Sequence, residues 1–194
     1  MYFFSSAMAL VIKLFFGFFI FALIVRFLMQ LVRADYSNPV GSFIVKVTNP
    51  ALKPLRRFIP GLWGIDLSSL VLVFVVQIAE IILVNLLPGR QLPGISSMIL
   101  LTIGEVADTF ITIYFIGVFV AVIASWIVQG GSYNPVLNLI YQIIEPLMRP
   151  IRRIIPPMSG LDLSPLIAIA VLIFAKFLIA APILYYADPL GSYR

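Results

Sequence analysis

NPVGSFIVKVTNPALKPLRRFIPGLWGIDLSSL, residues 38–70, returns 96 residues later as NPVLNLIYQIIEPLMRPIRRIIPPMSGLDLSPL, residues 134–166. The two stretches align without a gap and are identical at 15 of 33 positions. Shared apolar composition would supply a few matches, but not Pro, Arg, Gly and Asp in register. Asn38, Pro39 and Val40 fall on Asn134, Pro135 and Val136, and Pro50 falls on Pro146. Pro54, Arg56 and Arg57 fall on Pro150, Arg152 and Arg153, and Ile59 and Pro60 on Ile155 and Pro156. Gly64, Asp66, Leu67 and Ser68 fall on Gly160, Asp162, Leu163 and Ser164. A period of this kind marks a duplicated unit. The chain divides into a first repeat over 1–96 and a second over 97–194, with the motif at 36–68 and 132–164.

The flanks of the motif are apolar. Of the 194 residues, 62% are hydrophobic and 11% charged, against about 25% charged in a soluble domain. A soluble protein of this size could not bury so much apolar surface. Four stretches meet the ~20 residues a membrane-spanning helix needs: Phe3–Val32, Ser69–Leu87, Met98–Val128 and Pro165–Tyr186. The first lacks a basic lead-in, is too long for a cleaved signal and is interrupted by Lys13, so it is expected to be a retained span. The third exceeds the bilayer thickness and should tilt or protrude before Gly130 and Gly131 end it. The predicted fold is an all-α, polytopic membrane protein: four transmembrane helices in two parallel tandem repeats related about the membrane normal.

Lys and Arg sit on one side. Arg33, Lys46, Lys53, Arg56, Arg57, Arg149, Arg152 and Arg153 follow the first and third spans, whereas Arg90 and Arg194 serve the other side. The positive-inside rule then puts both motifs in the cytoplasm and both termini outside.

Within the motif, Asn38 and Asn134 are N-caps with Pro39 and Pro135 at the first helical position. A short helix should run to about Thr48 and Ile144, stopped by Pro50 and Pro146. After it, Leu55, Phe58 and Ile59, and likewise Ile151, Ile154 and Ile155, form an apolar stripe opposite the arginines. That pattern predicts an interfacial, amphipathic turn or two in the headgroup layer. Ser164 and Pro165 should open the fourth span and Ser68 the second. The motif then either only turns the chain back into the bilayer, or uses Arg56, Arg57, Arg152 and Arg153 to grip phosphate on anionic phospholipid headgroups or an acidic partner. Asp66 and Asp162 suit either helix-start electrostatics or ion pairs with those arginines.

This run of Asn-Pro, spaced prolines, Arg-Arg-x-Ile-Pro and Gly-x-Asp-x-Ser resembles the YggT (YlmG-like) family of bacterial and plastid membrane proteins, in its duplicated form. Ser69 stands where the pattern has Pro165. The resemblance implies a bacterial inner-membrane location. It implies roles such as osmotic tolerance, ion uptake and cell-division operons in bacteria, or nucleoid organisation and haem attachment to a cytochrome b in plastids. No agreed biochemical activity comes with it.

Charges inside spans are costly and mark candidate functional positions. Lys13, Glu80, Glu105, Asp108 and Lys176 fall about 10–15 Å from the outer ends of their helices at ~1.5 Å per residue, one layer between the outer quarter and the midplane. Arg26, closer to the cytoplasmic end, can snorkel. The 96-residue shift carries Glu80 onto Lys176 and Lys13 next to Asp108, so opposite charges occupy quasi-equivalent places. Glu80 or Glu105 is the expected partner of Lys176. The layer is either a set of buried ion pairs fixing helix packing or a polar cavity for a cation or proton. Phe15, Phe16, Phe18, Phe19 and Phe21 read as lipid- or partner-facing bulk.

The chain has no Cys and no His, which removes disulfides, thiol nucleophiles and the commonest metal ligand and general base. No cofactor, metal or direct nucleic-acid contact is expected. The favoured function is a non-enzymatic membrane factor that binds lipid and a membrane-protein partner or a second copy of itself. The alternative is a small ion or proton pathway through Glu80, Glu105 and Asp108.

Overall fold

The structure, a computed structural model, describes residues 2–36, 38–59, 66–127, 134–155 and 162–188. Pro60, Gly64, Gly130, Gly131, Pro156 and Gly160, to which the sequence assigns structural roles, lie outside the described residues. In the first repeat, α1 covers Tyr2–Leu31, α2 Pro39–Leu55 and α3 Leu67–Asn85. In the second, α4 covers Ile95–Ile127 and α5 Pro135–Ile154. The last span, Ser164–Ala187, comprises α6 at Ser164–Ala175, a π-helical turn at Lys176–Ala180 and α7 at Ala181–Ala187. No strand occurs among the described residues. Among the described residues, four helices are long and apolar enough to cross a membrane.

α1 and α3 pack along each other, as do α4 and the final span, so each repeat is a helical pair carrying its motif helix at one end. The halves meet along α3 and α4, and α2 touches α5. The largest buried cluster joins Leu23, Ile24, Leu28 and Met29 of α1 to Ile44 and Leu52 of α2, Val73 of α3 and Ile113 of α4. Outside this core the spans stay apolar where nothing covers them: Phe15, Phe18, Phe119, Phe174 and Phe177 are all exposed, as lipid-facing side chains must be. Phe16 and Phe19 instead pack against the core.

The motif helices run further than their sequence suggests. Pro50 and Pro54 lie inside α2, and Pro146 and Pro150 inside α5. Proline removes one backbone N–H and crowds the carbonyl four residues back, which is why a stop was expected at Pro50 and Pro146. The i, i+4 spacing puts each proline pair on one helix face, and all four residues are exposed. The carbonyls that lose a partner therefore face outward, where water or headgroups can bond them. The opposite face is held by burial of Ile44, Thr48 and Leu52 in α2, and of Leu139, Ile143, Ile144 and Met148 in α5. Packing on that side carries the helix through the prolines.

Helix starts and ends follow local chemistry. The Asn38 side-chain oxygen accepts the Gly41 N–H at 2.7 Å, and that of Asn134 accepts the Val136 and Leu137 N–H groups at 2.9 and 3.3 Å. Arg33 ends α1 by taking a left-handed φ of 53°, so that the Ala34 N–H reaches the Met29 carbonyl at 2.8 Å. This closure satisfies carbonyls a helix end leaves open and turns the chain toward α2.

Two glycines in α4 allow close approach. A Cβ on Gly117 would stand 2.7 Å from Ile144 Cγ2 of α5, and one on Gly104 would stand 2.6 Å from Leu184 Cδ2 of α7.

Candidate functional site

The motif's charged residues meet at the joint between each motif helix and the span after it. Arg56 follows the last residue of α2, and its guanidinium donates to the Asp66 carboxylate. Asp66 is buried and is also the N-cap of α3: its oxygens accept the Ser69 N–H at 3.3 Å and the Ser69 hydroxyl at 2.6 Å. The second repeat builds the same clasp more loosely. Arg152 Nε lies 3.4 Å from Asp162, and Arg152 is shared with Glu145 at 3.2 Å. Asp162 accepts the Ser164 N–H at 2.9 Å. The two roles open for these aspartates from sequence are thus combined in one carboxylate in each repeat.

Burial alone would raise the Asp66 carboxyl's pKa, but the Arg56 and Ser69 hydrogen bonds outweigh it and leave the group below the ordinary carboxylate range. The same opposition, burial against hydrogen bonds from Ser164 and the charge of Arg152, lowers Asp162.

The motif serines do something other than cap. α3 begins at Leu67 under Asp66, and α6 begins at Ser164 after Leu163, which makes no side-chain cap; Pro165 sits in the first turn. Ser68 Oγ instead donates to the Ile59 carbonyl at 2.6 Å, and Ser164 Oγ to the Ile155 carbonyl at 3.3 Å. Each serine fastens the start of a span to the chain leaving the motif helix. At α3 the cap falls to Asp66; at α6 Asp162, one residue before the cap position, accepts the first helical N–H, that of Ser164.

The arginine pairs divide. Arg56 and Arg152 are engaged by carboxylates, while Arg57 and Arg153 are exposed and form no ion pair among the described residues. Phe58 and Ile154, expected on an apolar stripe in the headgroup layer, are 83% and 79% exposed and pack against no other part of the described protein.

Sequence reasoning missed Arg26. It does not snorkel: it is 5% exposed, and its Nη1 donates to Thr48 Oγ1 at 2.6 Å and the Val45 carbonyl at 3.3 Å, both on α2. Thr48 donates its own proton to the Ile44 carbonyl at 2.6 Å, leaving the hydroxyl oxygen to accept. The available signal was Thr48 itself, a polar residue on the buried stripe of α2. Arg26, Arg56 and Asp66 line an open pocket of about 610 Å³ together with Gln30, Tyr36 and Val45. Burial raises the pKa of the Tyr36 hydroxyl against the opposing pull of Arg26 and Arg56.

In the spans, Lys176 Nζ lies 3.0 and 3.1 Å from the two Asp108 oxygens. Its close carboxylate is therefore Asp108, not Glu80 or Glu105. Rotation of the last span about its axis decides this, and repeat arithmetic cannot supply that angle. Glu80 is buried and accepts from Gln77 Nε2 at 3.2 Å; Lys13, Glu80 and Glu105 all have partners. Glu105, Asp108 and Lys176 share a cleft of about 400 Å³ with Phe177, Ala181 and Leu184. The π turn begins at Lys176, with the Ala181 N–H bonded back to the Lys176 carbonyl. Pro182 comes next, and its ring crowds the Leu178 carbonyl, which favours the wider turn just ahead of it.

Two tandem helical units, each crossing with two apolar helices and joined through an Arg–Asp clasp, define a duplicated, multi-pass membrane protein. The CCB3/YggT family model matches the chain twice, at residues 5–87 and 100–183, and the chain belongs to that family. It is 44% identical over 146 residues to the uncharacterized protein PA0392 of Pseudomonas aeruginosa, spanning 75% of this chain and 74% of the relative. Similarity to uncharacterized protein YggT of Escherichia coli K12 is 37% over 154 residues, 77% of each chain. A Vibrio alginolyticus protein, named for its place in the proC 3' region, is 34% identical over 174 residues, 89% of this chain and 93% of its own. No solved structure matches.

Proposed function

We propose that this chain is a non-enzymatic factor of the bacterial inner membrane that supports osmotic tolerance, ion uptake or envelope-complex assembly by binding lipid headgroups and a partner membrane protein or a second copy of itself. The observation that carries this reading is the division within each arginine pair. One arginine is tied to an aspartate and shapes the joint; its neighbour, Arg57 or Arg153, is exposed and unpaired among the described residues. Exposed Lys46, Lys53 and Arg149 stand on the same motif helices, and such clusters attract anionic phospholipid. In this reading both motifs face the cytoplasm and both termini the periplasm, and the unpaired arginines grip phosphate. The lack of His and Cys leaves little for catalysis beyond carboxylates and arginines.

A second reading is favoured by one observation, the cleft at Glu105, Asp108 and Lys176. Two carboxylates against one lysine would suit a cation or proton on a small pathway. The experiment is growth rescue of a null strain under osmotic challenge, paired with ion flux into liposomes holding the purified protein. Arg57→Gln with Arg153→Gln should abolish rescue in a protein that still inserts and folds, and no flux should be seen. Flux that disappears in Glu105→Gln or Asp108→Asn would overturn the binding reading in favour of the pathway.

A further inference from the structure

We propose that the first repeat alone holds a phosphate-binding site, with Arg26 as its buried anchor. Arg26 is a guanidinium with five N–H donors, and its bonds to Thr48 and Val45 both come from Nη1. No carboxylate lies within salt-bridge distance of it among the described residues. The one acid in the cavity wall, Asp66, is already engaged by Arg56 and by both donors of Ser69. Two guanidinium groups against one carboxylate leave the lining with an excess positive charge. A buried cation of that kind is costly without a counter-ion. The neighbouring Gln30 amide and Tyr36 hydroxyl add neutral donors, and the open pocket, about 610 Å³, has room for a phosphate with part of its ester group. Arginine offers the paired donors that phosphate oxygens accept best.

Comparison of the repeats sets this site apart from the motif. The clasp is duplicated, since Arg56 and Asp66 map onto Arg152 and Asp162. The anchor is not: Arg26, Gln30 and Thr48 map onto Val122, Trp126 and Ile144. Ile144 belongs to an apolar cluster with Val118 and Met148, so the second repeat fills with hydrocarbon the place where the first keeps a cation and its acceptor. The inference deepens the headgroup-binding reading above and rests on it for the orientation that sets this cavity at the phosphate level of the bilayer. The phosphate can be a phospholipid diester or free inorganic phosphate.

The test uses full-length protein in detergent micelles. Native mass spectrometry with phosphatidylglycerol, and a separate titration with inorganic phosphate, should show saturable binding of which one site per chain depends on Arg26. Arg26→Val combined with Thr48→Ile writes the second repeat's residues into the first and should weaken binding about tenfold or more. Tyr36→Phe, which removes only a hydroxyl and keeps the packing, should weaken it severalfold without changing the melting temperature. Loss with the lipid probe alone identifies a headgroup; loss with both identifies the phosphate as the recognised unit. Equal binding by wild type and the folded variants, or no saturable binding of either probe, would overturn the site. Osmotic rescue of the Arg57 and Arg153 variants tests the surface arginines and this titration tests Arg26, so the two readings fail separately.

Discussion

Asp66 carries three donors on one buried carboxylate, whereas Asp162 is exposed and shares Arg152 with Glu145. The first clasp should therefore matter more. Arg56→Gln is expected to cost about 1.5–3 kcal/mol, the range for hydrogen bonds to a charged group, and Arg152→Gln about 0–1 kcal/mol as for an exposed pair. Thermal unfolding of the purified protein checks both. The Asp66 carboxyl titrates lower in the folded than the unfolded state, so its contribution is complete above about pH 4 and is lost as pH falls through the folded value. Melting temperature should drop on acidification below that point, and Arg56→Gln should flatten the drop. At the other polar site, Lys176→Ala leaves Asp108 without its cation inside a span, a loss of about 3 kcal/mol. Adding Asp108→Ala should restore most of it, and absence of rescue would show that the pair does not stabilise the span. The asparagine caps could be read from sequence because a cap acts within four residues. Arg26 and Lys176 could not, because their partners lie on other helices whose rotation no local pattern encodes.

The joint between motif helix and span is the element that repeats most faithfully. Ser68 and Ser164 both reach back nine residues to a carbonyl, and the aspartates two positions earlier tie the same joint by charge. Ser68→Ala removes a fully buried hydroxyl and leaves the Ile59 carbonyl without that donor, an expected loss of about 1–2 kcal/mol. Hydrogen exchange should report it as faster opening at the start of α3, with the far end of α3 unchanged; uniform loosening would show that the serine is not local to the joint. The register of these joints was legible in the repeat. The length of α2 and α5 was not, because a proline reads as a stop wherever it stands. Only the buried row Ile44, Thr48 and Leu52 shows that the helix continues with its prolines turned outward.

Across the whole molecule, the four spans and their pairing by repeat follow from hydropathy and the 96-residue shift. The sidedness of the bilayer is a question of charge bias alone. On the proposed orientation, cysteines replacing Ser42 and Asn138 should react with an impermeant thiol reagent only after the inner face is opened, and one replacing Ser192 should react from outside. Labelling of both motif positions in intact cells would invert the protein. The duplication also hides a difference between its halves. The second span is wound as α-helix from Leu67 to Asn85, while the last one widens into a π turn at Lys176–Ala180. A π turn holds one residue more than α-winding requires. Deleting one residue there lets the turn tighten to α-winding with α7 still in phase and Leu184 kept in its seat over Gly104. A deletion just before the turn is taken up in the same way. The last span thus carries slack in its own length, a tolerance to lost residues that its counterpart in the first half does not have.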